Sequence, residues 1–270
     1  MTDWTPLPSH IDTGRQIAGP LGGILMIEGI DAVIFDLGGT LYRTERDLGE
    51  VHRRFLAEVG LTDVAAMSDY ELEGAQSRGP DVWLDEFMLK IRADLHWEPS
   101  KEDWVQYDKR LLKSLGAKGD IERIANEFQS LWDDWLRLDR FIALDGCRET
   151  LVELRRRGYK LGMASNRFGD PRSILKRDDN LSLFESVEYT NVPGYKKPSP
   201  YMLFKVADDL GVNPRRCVYV GNYVRYDVEA AIRGDMVPIL IVECNPTERE
   251  IAPANITIIE HLPELLEILP

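Results

Sequence analysis

The sequence predicts an α/β fold with a mostly parallel sheet and a helical insertion. Three observations carry this. Ala32-Val33-Ile34-Phe35 is a short apolar run that ends in Asp36 and a Gly-Gly turn, the pattern of a buried strand opening into a loop. Similar runs recur late in the chain and alternate with helical stretches, which is the signature of a parallel sheet covered by helices. Between these two regions lies a charged, helix-rich stretch with no comparable strand signal.

Residues 1–25 contain Pro6, Pro8 and Pro20 among four glycines and show neither helical nor strand period, so a loosely docked tail is expected there. It does not read as a secretory signal, because Asp3 and Asp12 stand where a basic start belongs and no apolar stretch follows. The core is expected over residues 26–42 and 143–270. Its strands fall at 32–35, 161–164, 187–189, 217–220, 239–242 and 256–259, and its helices at 148–157, 200–210, 228–233 and 262–269. Residues 43–142 form the insertion, with helices at 48–59, 82–95 and 121–138. In the last of these Phe128, Leu131, Trp132, Trp135 and Leu138 recur at helical spacing. Five of the six tryptophans lie in this insertion. Their expected role is to fill the core of a small helical domain; the sharper alternative is that one or two line a substrate pocket.

Composition narrows the function. With 33 basic against 46 acidic residues, the net charge of −13 argues against a nucleic-acid partner, which needs basic patches. No apolar run approaches the roughly 18 residues of a membrane span; the best, residues 237–242, is short and contains Pro238. Cys147, Cys217 and Cys244 are scattered and lack metal spacing, which suits a reducing, cytoplasmic setting.

Four segments carry residues fit for chemistry, each at or just after an expected strand end. In Asp36-Leu37-Gly38-Gly39-Thr40-Leu41, a carboxylate at a strand tip can attack a substrate or hold a metal. Ser165-Asn166 offers a hydroxyl and main-chain amides to phosphate oxygens. In Gly194-Tyr195-Lys196-Lys197-Pro198-Ser199-Pro200 a lysine precedes a proline that opens a helix. Val220-Gly221-Asn222 is followed by Asp227. Elsewhere the signals fail. His10, His52, His96 and His261 have no ligand spacing, and Ser165 lacks the G-x-S-x-G elbow. Arg155-Arg156-Arg157 closes a helix, where cations suit the dipole. Arg225 is either an ordinary loop residue or a cation that partly replaces missing metal charge.

In this order the four segments resemble the haloacid dehalogenase-like (HAD) superfamily of hydrolases, from Gly29 to Pro270. The resemblance implies a Rossmann-like parallel sheet core with an inserted α-helical cap. It also implies a magnesium-dependent phosphatase of small phosphorylated metabolites, working through an aspartyl-phosphate. Asp36 would be the nucleophile and Lys197 its charge partner, with Lys196 facing solvent. Thr40, Ser165 and Asn166 would bind phosphate. Asp36, the Gly38 carbonyl, Asn222 and Asp227 would hold Mg2+. Two positions depart from the family pattern: Gly38 replaces a second Asp that serves as general acid and base, and Asn222 replaces a metal-binding Asp. The alternatives are a metal-independent dehalogenase-like hydrolase, which would lack the second Asp too, and a catalytically weak phosphate-binding or interaction protein.

Overall fold

The computed structural model describes residues 26–136 and 141–270; the expected tail at 1–25 and Leu138 lie outside the described residues. In chain order the strands are β1 (Ala32–Phe35), β2 (Tyr42–Thr44), β3 (Phe141–Ala143), β4 (Lys160–Ser165), β5 (Ser186–Tyr189), β6 (Cys217–Gly221), β7 (Val237–Ile241) and β8 (Thr257–Ile259). The helices are α1 (Leu48–Glu58), α2 (Thr62–Ala65), α3 (Asp69–Arg78), α4 (Pro80–Ile91), α5 (Lys101–Ser114), α6 (Ile121–Leu136), α7 (Cys147–Arg156), α8 (Arg172–Arg177), α9 (Tyr201–Leu210), α10 (Glu229–Arg233), α11 (Glu248–Ile251) and α12 (Leu265–Ile268).

Six strands form one sheet in the order β5-β4-β1-β6-β7-β8, and every pairing in it is parallel. All four residues of β1 are fully buried, as a central strand covered on both faces must be. Ala32, Ile34 and Tyr219 pack with Met202, Leu203, Val206 and Leu210 of α9. Chain order runs outward through β4 and β5 on one side of β1, then outward through β6, β7 and β8 on the other. The reversal falls between β1 and β6, and in open α/β sheets that reversal opens the crevice where ligands bind, at the carboxyl ends of the strands. Pro238 is tolerated because β8 begins opposite Ile239, leaving Pro238 where β7 has a single neighbour.

The chain divides into two compact units. One holds the six-stranded sheet; the other comprises Thr44–Ile142 with Thr190–Gly194. The second unit is helical. Phe55 and Leu56 of α1, Leu111 and Leu112 of α5, and Phe128 and Trp135 of α6 form its core, with Trp132 packed against them.

Two features were not expected. Tyr42–Thr44 and Phe141–Ala143 pair as a small separate sheet; at three residues each, with mixed exposure, they leave no periodic trace. Helices α3 and α5 begin with capping boxes, Ser68 with Glu71 and Ser100 with Asp103, a local signal independent of apolar period. Among the described residues no helix is long and apolar enough to cross a membrane.

Candidate active site

The two strands flanking the reversal supply the site. Asp36 follows the last residue of β1, and Asn222 follows the last residue of β6. Ser165 ends β4, next to β1 on the other side. Its hydroxyl is close enough to the Asp36 carboxylate to favour the charged form. Lys197 comes from the loop before α9, and Asp227 from a π-helical turn, Val224–Val228, that precedes α10. A turn of this kind is uncommon and concentrates at functional sites.

Lys197 is the hub. Its side chain is 2% exposed, and its Nζ donates to Asp36 Oδ1 at 2.7 Å, to Asp227 Oδ1 at 2.6 Å and to the Tyr219 hydroxyl at 2.8 Å. Lys196, by contrast, is only half-buried. The loop that presents Lys197 is clamped by Asn166. The Asn166 Nδ2 donates to the Lys197 carbonyl at 2.9 Å, and its Oδ1 accepts from the Lys197 N–H at 2.7 Å.

Asp227 is fully committed as well. Its Oδ2 accepts from the main-chain N–H groups of Asn222 at 3.0 Å and Tyr223 at 2.9 Å. Its Oδ1 takes Lys197, with the Tyr219 hydroxyl at 3.3 Å. A side chain at Gly221 would have its Cβ 2.3 Å from the Asp227 Cβ, so only glycine lets the turn fold back this closely. At Gly39, with φ 76°, a Cβ would lie 2.2 Å from the Asn222 Nδ2. That glycine therefore serves both the left-handed turn and the seat of the Asn222 amide.

One ammonium thus faces two buried carboxylates, and the balance shows in their protonation. Burial pushes the Asp36 carboxyl above the usual carboxylate range; Lys197 pulls it back, and Asp227 pushes it up further. Burial works against the Lys197 charge, but the two carboxylates outweigh it and hold the ammonium above its ordinary value. A further cation beside Asp36 would complete the charge balance.

The donors available for one are oxygens: the Asp36 carboxylate, the Asn222 amide and the Gly38 carbonyl. Gly38 is bridged to Tyr42 through its neighbours' groups. Tyr42 N–H donates to the Leu37 carbonyl and Gly39 N–H to the Tyr42 carbonyl, so the Gly38 carbonyl takes no part. An all-oxygen set with one carboxylate fits magnesium, which usually keeps waters and shares a substrate's phosphate. Among the described residues no group of three or more His, Cys, Asp or Glu could hold a metal by itself.

Three of the expected site residues have side chains held by protein partners. Asp227, expected among the metal ligands, has both oxygens occupied by protein donors. The side-chain amide of Asn166 is held at both ends by Lys197, a clamp that does not involve the Asn166 main-chain N–H expected to bind phosphate. Thr40 is fully buried, and its hydroxyl donates to Asn222 Oδ1 at 3.4 Å. Sequence reasoning missed Tyr219, which sits inside an apolar strand. The one available signal was a hydroxyl-bearing aromatic two residues before the strand tip.

Residues 30–235 match the family model of the haloacid dehalogenase-like hydrolases. The chain is 27% identical over 219 residues to a glyceraldehyde 3-phosphate phosphatase of Methanopyrus kandleri, covering 78% of this chain and 84% of the relative. It is 28% identical over 253 residues to the enzyme of the same name from Pyrococcus furiosus, covering 89% and 93%. Its fold resembles the crystal structure of a predicted phosphoglycolate phosphatase from Haemophilus somnus, with a TM-score of 0.62 at 17% identity over 90% of this chain and 99% of that one.

Proposed function

We propose that this chain, which belongs to the haloacid dehalogenase-like hydrolases, is a magnesium-dependent phosphatase of small phosphorylated metabolites. The reading is carried by one observation: a fully buried lysine ammonium holds the strand-tip carboxylate of Asp36 at 2.7 Å. Relatives named as phosphatases, similar over most of their length, support it.

In this reading Asp36 attacks the phosphorus through a carboxylate oxygen. An O–P bond forms, and the bond from phosphorus to the leaving oxygen breaks. Water then attacks the phosphorus of the aspartyl-phosphate, releasing inorganic phosphate and restoring Asp36. Several negative oxygens crowd together in both steps, and fixed positive charge is the main aid available. Lys197 supplies part of it, aimed by Asp227 and by the Asn166 clamp on its main chain. Ser165 orients Asp36 and offers its hydroxyl to a phosphoryl oxygen. Magnesium, held by Asp36, the Gly38 carbonyl and Asn222, would add the positive charge that one ammonium cannot supply. Asp227 contributes through Lys197. Gly38 offers no proton, so the departing oxygen takes one from water.

The test is a panel of phosphate esters and haloacids, each assayed with magnesium and with chelator. Metal-dependent phosphate release is expected. Metal-independent halide release, or silence across the panel, would overturn the reading.

A further inference from the structure

We infer that Tyr219 is a positioning residue that fixes the direction of the Lys197 ammonium toward Asp36. An ammonium has three protons and no acceptor. Lys197 meets three acceptors, Asp36, Asp227 and the Tyr219 hydroxyl, all within 2.8 Å. At 2% exposure water has little access to it, so the third proton depends on the phenol.

The phenol is itself directed. Its shorter acceptor is the Ala164 carbonyl, at 2.8 Å, against 3.3 Å to Asp227 Oδ1. A carbonyl can only accept, so the phenolic proton points to Ala164 and an oxygen lone pair is left toward Lys197. Ala164 directly precedes Ser165 in β4. One chain of hydrogen bonds therefore runs from the strand that carries Ser165, through Tyr219 of β6, to Lys197 and on to Asp36. The Nζ lies 5.3 Å from the ring centroid, a separation taken up by the intervening hydroxyl. The contact is a hydrogen bond at the ring's polar end rather than a cation over its face. The ring packs among Ile34, Ala164 and Met202, so it cannot swing away.

The inference deepens the phosphatase reading and rests on it for its consequence in catalysis, but the ammonium's geometry can be measured without turnover. Tyr219→Phe removes the hydroxyl and keeps the ring. In protein labelled with ¹⁵N-lysine, wild type should show one ammonium signal protected from solvent exchange, identified by its loss in Lys197→Arg. Tyr219→Phe should shift that signal and strip its protection. On phosphate esters kcat should fall about ten- to a hundredfold, with KM and inhibition by inorganic phosphate nearly unchanged. A merely structural tyrosine would lower the melting temperature and leave the signal and kcat of the folded protein alone. An unchanged signal with unchanged kcat overturns the inference. So does a wild type with no protected lysine ammonium, a result that needs no variant to fold. If no ester is hydrolysed but the signal still answers to Tyr219→Phe, the phosphatase reading fails while the positioning stands.

Discussion

Replacing Asp227 by Asn should destabilise the sheet unit severely while changing hardly any volume. The carboxylate serves three donors: Lys197 Nζ at 2.6 Å, and the N–H groups of Asn222 and Tyr223 at 3.0 and 2.9 Å. An amide has one oxygen and one NH2. If the oxygen meets the two main-chain N–H groups, the NH2 faces the ammonium; if it is flipped, the NH2 faces the two amides. Either way donors oppose donors in a site about 2% exposed. Breaking a buried ion pair by neutralising one partner costs about 3–5 kcal/mol. Lys197 keeps Asp36, so the lower end applies, about 3 kcal/mol. That is a large share of a stability of about 5–15 kcal/mol, equivalent to a fall of roughly 6–12 °C in Tm. Tryptophan fluorescence is the wrong probe, because Trp83, Trp97, Trp104, Trp132 and Trp135 belong to the helical unit. Hydrogen exchange of the β1 and β6 amides reads the sheet directly. Asp235→Asn is the control: its pair with Arg215 has both side chains well exposed, at 66% and 73%, and should cost under about 1 kcal/mol. A loss below about 0.5 kcal/mol in Asp227→Asn would mean that Asp227 does not hold this charge cluster together.

Three further outcomes are expected. Gly38 is exposed, its φ is not left-handed, and an added Cβ would meet nothing within 4 Å; Gly38→Asp should therefore fold and restore a proton donor worth about 10²–10⁴ for poor leaving groups. The ratio of alkyl-ester to aryl-ester turnover should rise at least about tenfold, and an unchanged ratio would mean that another group already donates the proton. Asn222→Asp should bind magnesium more tightly by calorimetry through the added charge, and equal affinity in the two proteins would remove position 222 from the metal site. In the helical unit, His52 Nε2 and Asp108 Oδ2 are buried without partners, and their linkages oppose. Burial lowers His52 from 6.5 to about 4, so its contribution is full above pH 6.5 and falls by up to about 3 kcal/mol as pH drops to 4. Burial, then the Asp133 charge, raises Asp108 well above 3.8, so its contribution is greatest below 3.8 and is lost as pH rises. Relative to wild type, urea unfolding of His52→Phe should thus show a stability difference growing from pH 6.5 to 4, and that of Asp108→Asn should show it shrinking. Parallel profiles in the two variants would refute the assignment.

The strand tips were legible because burial on both faces writes an unbroken apolar run, and the run stops where chemistry begins. Asp36, Ser165 and Asn222 each stand at such a stop, so their convergence followed from topology alone. What the sequence did not reveal is the direction of lone pairs. Asp227, Asn166 and Thr40 sit in the expected segments, and the sequence does not show that their side chains engage Lys197, main-chain amides and Asn222. Side-chain direction depends on contacts between residues far apart in the chain, such as Asn166 with Lys197. Tyr219 was hidden for a related reason: in a run of Cys, Val, Tyr, Val it looks apolar, and only the fold brings its hydroxyl to a lysine. The helices α3 and α5 were hidden differently, since their capping boxes are local and needed no fold at all.

The central claim is that Asp36 is the nucleophile of a phosphoryl transfer. The most direct measurement is rapid acid quench during turnover of an activated phosphate ester, followed by mass spectrometry of the peptide that carries Asp36. Wild type should show a transient gain of one phosphoryl group on Asp36, and a folded Asp36→Asn, whose amide is a poor nucleophile, neither adduct nor turnover. Turnover that persists in Asp36→Asn, or an adduct on another residue, would contradict the claim.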